Sequence, residues 1–427
     1  MILAHGTIYP SEAQNRLLEG LEGAITATLQ REVFPAQVVI NACEILVARL
    51  ERGEFDAVIA ALGLDERLKE EQVASATALL RRDSLEAKLN LELGPNFATP
   101  HTVQPPHHGG QLVKQVLPLG VLFHIAAGNV DGLPAYSVVE GLLAGNVNIL
   151  KLPQADEGLS VLLLKALVEE APALTDYVYV FDTPSDDIPA MERMAALADG
   201  IVVWGGDAAV SAVRTMAPVG TKLIEWGHKL SFAYVTQRGR TEEHLAALAQ
   251  HIVDTRQLLC SSCQTILLDT DDIQEVEGFC LEFLPILEAA AQRAPLDNVG
   301  AVGKMTLALY NQSLEEIHDK SRTTFRGTGC SLTACSDGEL ELSLQFGNPL
   351  VKAMPQEGLP AMLRRHKGYL QTAGLLCAPE EREGLSALLL RAGLVRVTGP
   401  GDLSRVTCCD AHDGEYPLRR YTRVTER

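Results

Sequence analysis

The chain has 427 residues, a formal net charge of −19 and a 47% share of hydrophobic residues. This length exceeds what one small core needs, so we expect two or three domains. The acidic balance argues against a nucleic-acid binder, and the lack of any run of about 18 uncharged apolar residues argues against a membrane span.

The compartment can also be predicted from composition. The first residues lack a basic segment followed by a long apolar core, so they do not predict a signal peptide. The nine cysteines are odd in number and scattered along the chain. This usage fits reduced thiols better than a disulfide framework, and we expect a cytoplasmic protein.

The N-terminal region, residues 1–93, is predicted to be mostly helical. Helical spacing of apolar residues follows Ser11, which can cap the first helix, and recurs over 38–50 and 65–93. Residues 94–117 are rich in Pro, Gly and His and predict an extended arm or linker.

The next segment predicts a strand, an exposed turn, a helix and a second strand. Apolar runs of strand length cover 119–125 and 147–150, and helical spacing covers 134–144. The carboxyl ends of parallel strands open onto a shared crevice, so Asn129 and Lys151 are expected to face the same ligand. An amide for an oxyanion beside an amine for a ribose hydroxyl indicates carbonyl chemistry next to a nucleotide.

Strands and helices continue to alternate to about residue 400, which predicts an α/β protein with parallel sheets. Further strand-like runs lie at 177–181, 200–204 and 231–235. The expected domains are a dinucleotide-binding domain over 118–240, to which residues 1–93 also belong, a catalytic domain over 241–400 and a polar tail over 401–427.

No complete GxGxxG motif follows the first strand of the α/β region, so a dinucleotide would need another cradle. Gly205 and Gly206 follow the strand-like run 200–204 and precede a helix whose amide groups can face a pyrophosphate. A purely structural turn is the alternative, and Asp207 can cap that helix.

Glu225 is the candidate general base. It closes a short strand just before Trp226 and Gly227, where partly apolar surroundings would favour proton transfer by a carboxylate. The alternative on this segment alone is a surface glutamate in a salt bridge.

Cys260 is the candidate nucleophile. It stands at the entry to an apolar strand, where a thiolate can attack a carbonyl carbon, although a buried packing cysteine is the alternative. Cys263 completes a CxxC pair. Zinc would need a second ligand pair, and the adjacent Cys408 and Cys409 lack the usual spacing, so we expect no metal.

Together these segments resemble the aldehyde dehydrogenase superfamily, and most closely the long-chain acyl-CoA reductase (LuxC) family of bacterial luminescence. Four motifs occur in the family's order: GVLFHIAAGN, GNVNILK, IEWGHK and QLLCSSCQ. The resemblance covers about residues 115–420. It implies an aldehyde-dehydrogenase-like fold, with a Rossmann-type cofactor-binding domain, a second α/β catalytic domain and a helical N-terminal region.

The resemblance also implies residue roles. Cys260 matches the catalytic cysteine, Asn129 the asparagine of the oxyanion hole, and Glu225 the general base. The implied cofactor-binding residues are Lys151 at the adenosine ribose and Gly205 at the pyrophosphate, together with Ala127, Gln154 and Gly206.

Gln154 bears on the choice of cofactor. It stands three residues after Lys151, where NAD-specific relatives carry an acidic residue. A neutral amide removes the repulsion against a 2′-phosphate, so we expect NADPH, with NADH as the alternative.

The implied function is NADPH-dependent reduction of a fatty acyl-CoA thioester to the aldehyde through a cysteine acyl-enzyme. One alternative is a CoA-independent aldehyde dehydrogenase that works oxidatively. Another is a non-redox acyl carrier or transferase subunit that uses the same cysteine. The resemblance also implies an acyl-protein synthetase as a partner and a homo-oligomer with contacts through the arm and the tail.

Overall fold

The computed structural model describes residues 1–62, 66–107, 109–126, 132–296, 298–318 and 320–427. The chain forms two units, the first comprising residues 1–227 and 407–427 and the second residues 228–406. None of the described helices combines the length and the apolar character needed to span a bilayer.

The described strands are, in chain order, β1 (Ile2–Ala4), β2 (Thr7–Tyr9), β3 (His101–Val103), β4 (Leu112–Pro118), β5 (Val121–Ile125), β6 (Val147–Lys151), β7 (Val178–Phe181), β8 (Gly200–Trp204), β9 (Lys222–Trp226), β10 (Leu230–Val235), β11 (Cys263–Leu268), β12 (Arg322–Gly327), β13 (Cys330–Cys335), β14 (Leu350–Ala353), β15 (Leu370–Leu376), β16 (Arg396–Thr398) and β17 (Thr422–Glu426).

The described α-helices are α1 (Gln14–Leu29), α2 (Ala36–Glu51), α3 (Asp56–Ala61), α4 (Glu66–Leu80), α5 (Arg82–Glu92), α6 (Leu133–Leu143), α7 (Leu159–Glu170), α8 (Ile188–Ala196), α9 (Asp207–Met216), α10 (Glu242–Asp254), α11 (Ile273–Arg293), α12 (Val299–His318), α13 (Leu359–Arg365), α14 (Pro379–Ala392) and α15 (Pro417–Arg420).

The main sheet of the first unit has the strand order β2-β1-β7-β6-β5-β8-β9. Strands β5 to β9 pair in parallel, whereas β1 is antiparallel to β7. Every residue of β5, β6 and β7 is buried, as expected for a parallel sheet covered on both faces. A separate antiparallel sheet, β17-β4-β3, joins the tail of the chain to the arm.

The sheet of the second unit has the order β12-β13-β14-β11-β10-β15-β16 and is parallel except for β12. Side chains of its interior strand β10 alternate between two apolar clusters. Phe232 and Tyr234 pack in a cluster with α13 and α14, whereas Ala233 and Val235 pack in a cluster with α10 and α11. Helices therefore cover both faces of this sheet as well.

These elements confirm the predicted α/β class, the parallel sheets and the helical N-terminal region. The boundary between the two α/β parts, expected at residue 240, lies instead at residue 227. The reason is that β10 pairs with β11 and β15 in the second sheet. Residues 407–427 of the expected tail belong to the first unit.

The predicted start of the first helix is wrong. Helix α1 begins at Gln14 with Ala13 at the N-cap, and the Ser11 hydroxyl donates to the Asp182 carboxylate instead of capping the helix. The expected arm is also not wholly irregular, because β3 and most of β4 lie within it.

Candidate active site

Three of the predicted residues lie along one edge of the first sheet. Lys151 ends β6, Gly205 follows β8, and Glu225 lies one residue before the end of β9. Strands β6, β5, β8 and β9 are parallel neighbours, so their carboxyl ends meet at this edge, where α/β proteins bind ligands. Ala127 and Asn129 lie outside the described residues, and their roles stay predictions.

Lys151 is buried, and its ammonium donates a 2.8 Å hydrogen bond to the Ser185 hydroxyl. Burial lowers the pKa of this lysine. Gln154 lies three residues further on, exposed at the start of a short 3-10 turn that ends at Asp156. An ammonium with a hydroxyl partner at the strand end fits the predicted ribose side of a dinucleotide site.

The turn after β8 fits a pyrophosphate. Gly206 occupies the N-cap of α9 and has no side chain with which to cap that helix. The N-terminal amide groups of a helix are natural donors to an anion. Asp207 occupies the first helical position and not the N-cap position. A Cβ on Gly205 would lie 3.0 Å from the Ala209 Cβ, so a side chain there would be crowded.

Glu225 is half-buried and forms a salt bridge. Its two carboxylate oxygens each accept a 2.6 Å hydrogen bond from the guanidinium of Arg214, which is exposed. This ion pair is the salt bridge that the sequence analysis names as the alternative for Glu225. A role as general base, which stays a prediction, requires that this carboxylate leave Arg214 or accept a proton while still paired.

A buried hydrogen-bond chain that the sequence analysis missed fixes α6 against the sheet. Trp204 Nε1 donates to Ser137 Oγ at 3.2 Å, and Ser137 Oγ lies 2.8 Å from His124 Nδ1. Burial lowers the pKa of His124 to about 4, so the ring is neutral near pH 7. Asn148 Oδ1 lies 3.0 Å from His124 Nε2, which makes Nε2 the protonated nitrogen and Nδ1 the acceptor from Ser137.

The close approach of α6 to β6 depends on Gly141. A Cβ on this residue would lie 1.8 Å from the Asn148 Oδ1 atom. The sequence contains a signal for these hydrogen bonds, because His124 and Asn148 are polar residues inside otherwise apolar strands.

In the second unit, Cys260 lies in the turn between α10 and β11, with its side chain exposed. Leu259 and Ser262 close this turn: the Ser262 amide donates to the Leu259 carbonyl at 3.0 Å, and the Leu259 amide donates to the Ser262 hydroxyl at 3.1 Å. The Ser231 hydroxyl donates to the Cys260 carbonyl at 2.8 Å. Gln371 Nε2 lies 3.3 Å from the Cys260 Sγ atom.

The backbone before the turn is strained and firmly held. Arg256 and Gln257 have φ values of 50° and 57°, in the left-handed region that non-glycine residues rarely adopt. The Gln257 side chain offsets this cost. Its Nε2 donates to the Cys263 carbonyl at 2.8 Å, and its Oε1 accepts from the amides of Gly347 and Asn348 at 3.1 and 2.9 Å.

The two cysteines of the CxxC pair differ sharply. Cys263 is fully buried at the start of β11, and burial raises the pKa of its thiol to about 12. A thiol in this state does not ionise near neutral pH, so Cys263 acts as a packing residue. Cys260, by contrast, is exposed.

One group of side chains in the second unit has the composition of a metal site. Ligand atoms of Cys335, Asp337 and Glu341 lie within 4.8 Å of one another. The buried Lys352 ammonium donates to both carboxylates, at 2.6 Å to Asp337 and 2.5 Å to Glu341. A lysine therefore already supplies the positive charge in this cluster.

His251 supports the Cys260 turn from α10. Its Nε2 accepts a hydrogen bond from the Cys263 amide at 3.2 Å. Burial lowers the pKa of His251 to about 4, although Asp254 and Asp402 raise it in part. The pKa of a histidine in the unfolded chain is about 6.5, so the burial of a neutral ring does not reduce the stability of the native state above that pH. About 3 kcal/mol of stability is lost as the pH falls from about 6.5 to about 4.

We expect the change His251→Gln to reduce the acid sensitivity of the second unit. The glutamine oxygen can still accept from the Cys263 amide and does not titrate. Thermal unfolding followed by circular dichroism across this pH window measures the effect. His244→Gln, on the same helix, is the matched control. Equal pH dependence in wild type and His251→Gln would contradict the assignment.

Solved structures define the class of fold. Aldehyde dehydrogenase 21 from Physcomitrella patens superposes with a TM-score of 0.73 at 10% identity, covering 98% of this chain and 90% of that chain. A glyceraldehyde-3-phosphate dehydrogenase from Methanocaldococcus jannaschii, complexed with NADP, gives 0.72 at 12% identity, covering 99% and 95%. The fold is that of the aldehyde dehydrogenases.

Within this class, the model of the acyl-CoA reductase (LuxC) family matches residues 37–424, and the chain belongs to that family. The long-chain acyl-protein thioester reductase 2 of Photobacterium leiognathi is 26% identical over 167 residues, which are 38% of this chain and 35% of the relative. The corresponding reductase of Aliivibrio fischeri is 23% identical over 212 residues, 49% and 43% of the two chains. The matched region thus spans less than half the length of these relatives. The resemblance predicted from the four motifs is confirmed.

Proposed function

We propose that this chain reduces a fatty acyl-CoA thioester to the aldehyde with NADPH, through an acyl-enzyme on Cys260. The observation that supports this most is the exposed Cys260 sulfur, held in a tightly bonded turn, in a chain of the acyl-CoA reductase family. The names of the relatives support a second donor, an acyl thioester carried on a protein. An acyl-protein synthetase partner would supply it.

In the first step, the Cys260 thiolate attacks the thioester carbonyl carbon. The bond from that carbon to the CoA sulfur breaks, and CoA leaves as a thiol after taking up a proton. The Asn129 amide and the Cys260 backbone N–H stabilise the oxyanion. Removing one donor of this kind raises the activation free energy by about 3 kcal/mol. Glu225 takes the thiol proton of Cys260.

In the second step, the acyl carbon on Cys260 is reduced; a nicotinamide cofactor, when bound, would supply the hydride. The Cys260 sulfur then leaves as a thiolate when the hemithioacetal collapses to the aldehyde. Lys151 would hold the adenosine ribose, and the turn at Gly205 and Gly206 would hold the pyrophosphate, with Gln154 and Ala127 as the further cofactor-binding residues that the family resemblance implies.

The test is an activity screen over acyl-CoA chain lengths with NADPH and with NADH, with aldehyde identified by mass spectrometry. Equal amounts of aldehyde formed and cofactor oxidised support the proposal. Acyl transfer without cofactor oxidation identifies a carrier or transferase. Aldehyde oxidation that does not depend on CoA identifies the oxidative alternative.

We expect the change Lys151→Met to weaken NADPH binding about tenfold or more, because a charged hydrogen bond contributes about 1.5–3 kcal/mol. Quenching of tryptophan emission measures binding, since the chain's two tryptophans, Trp204 and Trp226, lie at the ends of β8 and β9. The control is Lys165→Met on α7, whose ammonium binds Glu169. Unchanged affinity in Lys151→Met would refute the ribose role.

We expect the change Gln154→Glu to shift the preference from NADPH toward NADH, because a carboxylate repels the 2′-phosphate and can bind ribose hydroxyls. The same quenching titration gives the ratio of the two dissociation constants. Gln154→Leu, which adds no charge, should keep the wild-type preference. If both variants keep it, Gln154 does not select the cofactor.

A further inference from the structure

The start of β10 is irregular on both sides. Two residues of β15, Gln371 and Thr372, oppose the single residue Ser231, because the register shifts between residues 230 and 232. A second shift, between Ser231 and Phe232, falls on the β11 side. Bulges are uncommon between parallel strands and occur next to active sites, where they redirect a side chain.

Ser231 joins the segments that meet at this irregularity. Its hydroxyl donates to the Cys260 carbonyl at 2.8 Å and accepts from the Thr372 amide at 3.2 Å. Gln371, the residue before Thr372, is buried, and its Nε2 lies 3.3 Å from the Cys260 Sγ atom. The nitrogen of a side-chain amide donates hydrogen bonds and does not accept them, so Gln371 is the donor and the sulfur is the acceptor.

We propose that Gln371 is a catalytic residue that stabilises the Cys260 thiolate by donating an amide hydrogen bond to its sulfur. The inference rests on the proposed function only in that Cys260 is the nucleophile. The thiolate is the reactive form, and a hydrogen bond to the charged form favours ionisation. A charged acceptor also binds the amide more strongly than a neutral thiol does.

The same contact serves both ends of the reaction. An uncharged donor holds the thiolate without the strong pairing of a lysine or arginine, so the sulfur can leave the hydrogen bond when it attacks a carbonyl carbon. When the hemithioacetal collapses, the sulfur departs with the electron pair and again becomes a charged acceptor for the Gln371 amide. The sequence signal was a glutamine inside the apolar run LQTAGLL.

The test is the pH dependence of Cys260 alkylation by iodoacetamide in the full chain, followed by mass spectrometry of the peptide that contains it. Gln371→Met keeps the length of the side chain without the donor, and Gln371→Glu adds a carboxylate beside the sulfur. We expect the alkylation midpoint to rise by about one pH unit in Gln371→Met and further in Gln371→Glu. Gln237→Met, on an exposed turn, is the matched control and should not move it.

A purely structural role predicts a different result. The variants would then lower the thermal unfolding midpoint and leave the alkylation midpoint at its wild-type value, which overturns the inference. Gln371→Asn covers the case in which the other variants do not fold. It keeps an amide but withdraws it by one methylene, so its alkylation midpoint should also rise, and an unchanged midpoint again overturns the inference.

Acylation is measured separately, with labelled acyl-CoA. If Cys260 takes no acyl label but the alkylation midpoints follow the expected order, the proposed function fails and the role of Gln371 stands. If Cys260 is labelled normally and the midpoints do not move, the role of Gln371 fails and the proposed function stands.

Discussion

The change Cys260→Ala is expected to abolish reduction of acyl thioesters, with a loss of about 10⁴-fold or more in turnover. Alanine has no nucleophile, so no acyl-enzyme can form. The loss should not reflect a disordered turn, because the hydrogen bonds that hold it come from the Cys260 carbonyl and from Leu259 and Ser262. Labelled acyl-CoA followed by peptide mapping measures the acyl-enzyme directly.

Two other cysteines serve as controls for this experiment. Cys409 is exposed like Cys260, so Cys409→Ala tests whether any accessible thiol accepts the acyl group. Cys263 is three residues away but fully buried, and Cys263→Ala should keep the label on Cys260. Acyl label that persists on the Cys260→Ala protein would identify another nucleophile and end the proposed mechanism.

The parts of the fold that the sequence predicts well are those with strong local signals. The buried strand at residues 200–204 has the same bounds in the structure, because a continuous apolar run between helices identifies a parallel strand. The helix predicted over 134–144 differs from α6 by one residue at each end. Strands β1 and β2 have three residues each, which is too short to show a period.

The domain boundary was misplaced because alternation does not identify the sheet to which a strand belongs. β10 follows β9 after three residues and looks like the next strand of the first sheet. Its partners β11 and β15 lie about 30 and 140 residues further along the chain. Only long-range pairing, which a single sequence does not reveal, assigns β10 to the second unit.

The same limit applies to the candidate site. The motifs single out Cys260, which is exposed, but they do not show the contacts from Ser231 and Gln371, which come from other strands. The segment around Glu225 does not identify its ion-pair partner, because Arg214 lies on a preceding helix. The sequence shows which side chains can act as nucleophile or base. It does not show which residues hydrogen-bond to them, because tertiary packing brings those partners together.

The change Lys88→Met is expected to destabilise the first unit by about 3–5 kcal/mol, the usual cost of removing one partner from a buried ion pair. The Lys88 ammonium lies 2.7 Å from Glu92 Oε1 and 3.0 Å from Glu140 Oε1, and all three side chains are buried. Burial alone lowers the pKa of Lys88, but Glu140, Tyr136 and Glu92 more than offset this and raise it above its usual value. Methionine would leave two carboxylates buried without a cation.

Lys88→Met should also weaken the attachment of the C-terminal segment, residues 407–427. Glu92 Oε2 accepts a 2.7 Å hydrogen bond from the Leu418 amide, so the ion cluster also anchors α15. In the same segment, the His412 ring lies 4.8 Å, between ring centroids, from both Trp204 and Trp226. Tryptophan emission therefore reports both the unfolding of this unit and the release of the segment.

Urea unfolding followed by tryptophan emission measures the loss, with Lys165→Met as the matched control. Lys165 has the same spacing and the same 2.7 Å distance to Glu169, but its pair is solvent-accessible and should contribute less than about 1 kcal/mol.

Burial raises the pKa of Glu140, and without the Lys88 charge this pKa should rise further. Protonation would then relieve the unpaired carboxylates, so the deficit of Lys88→Met should shrink as the pH falls. A deficit that does not change with pH would mean that lost packing, not unpaired charge, destabilises the variant.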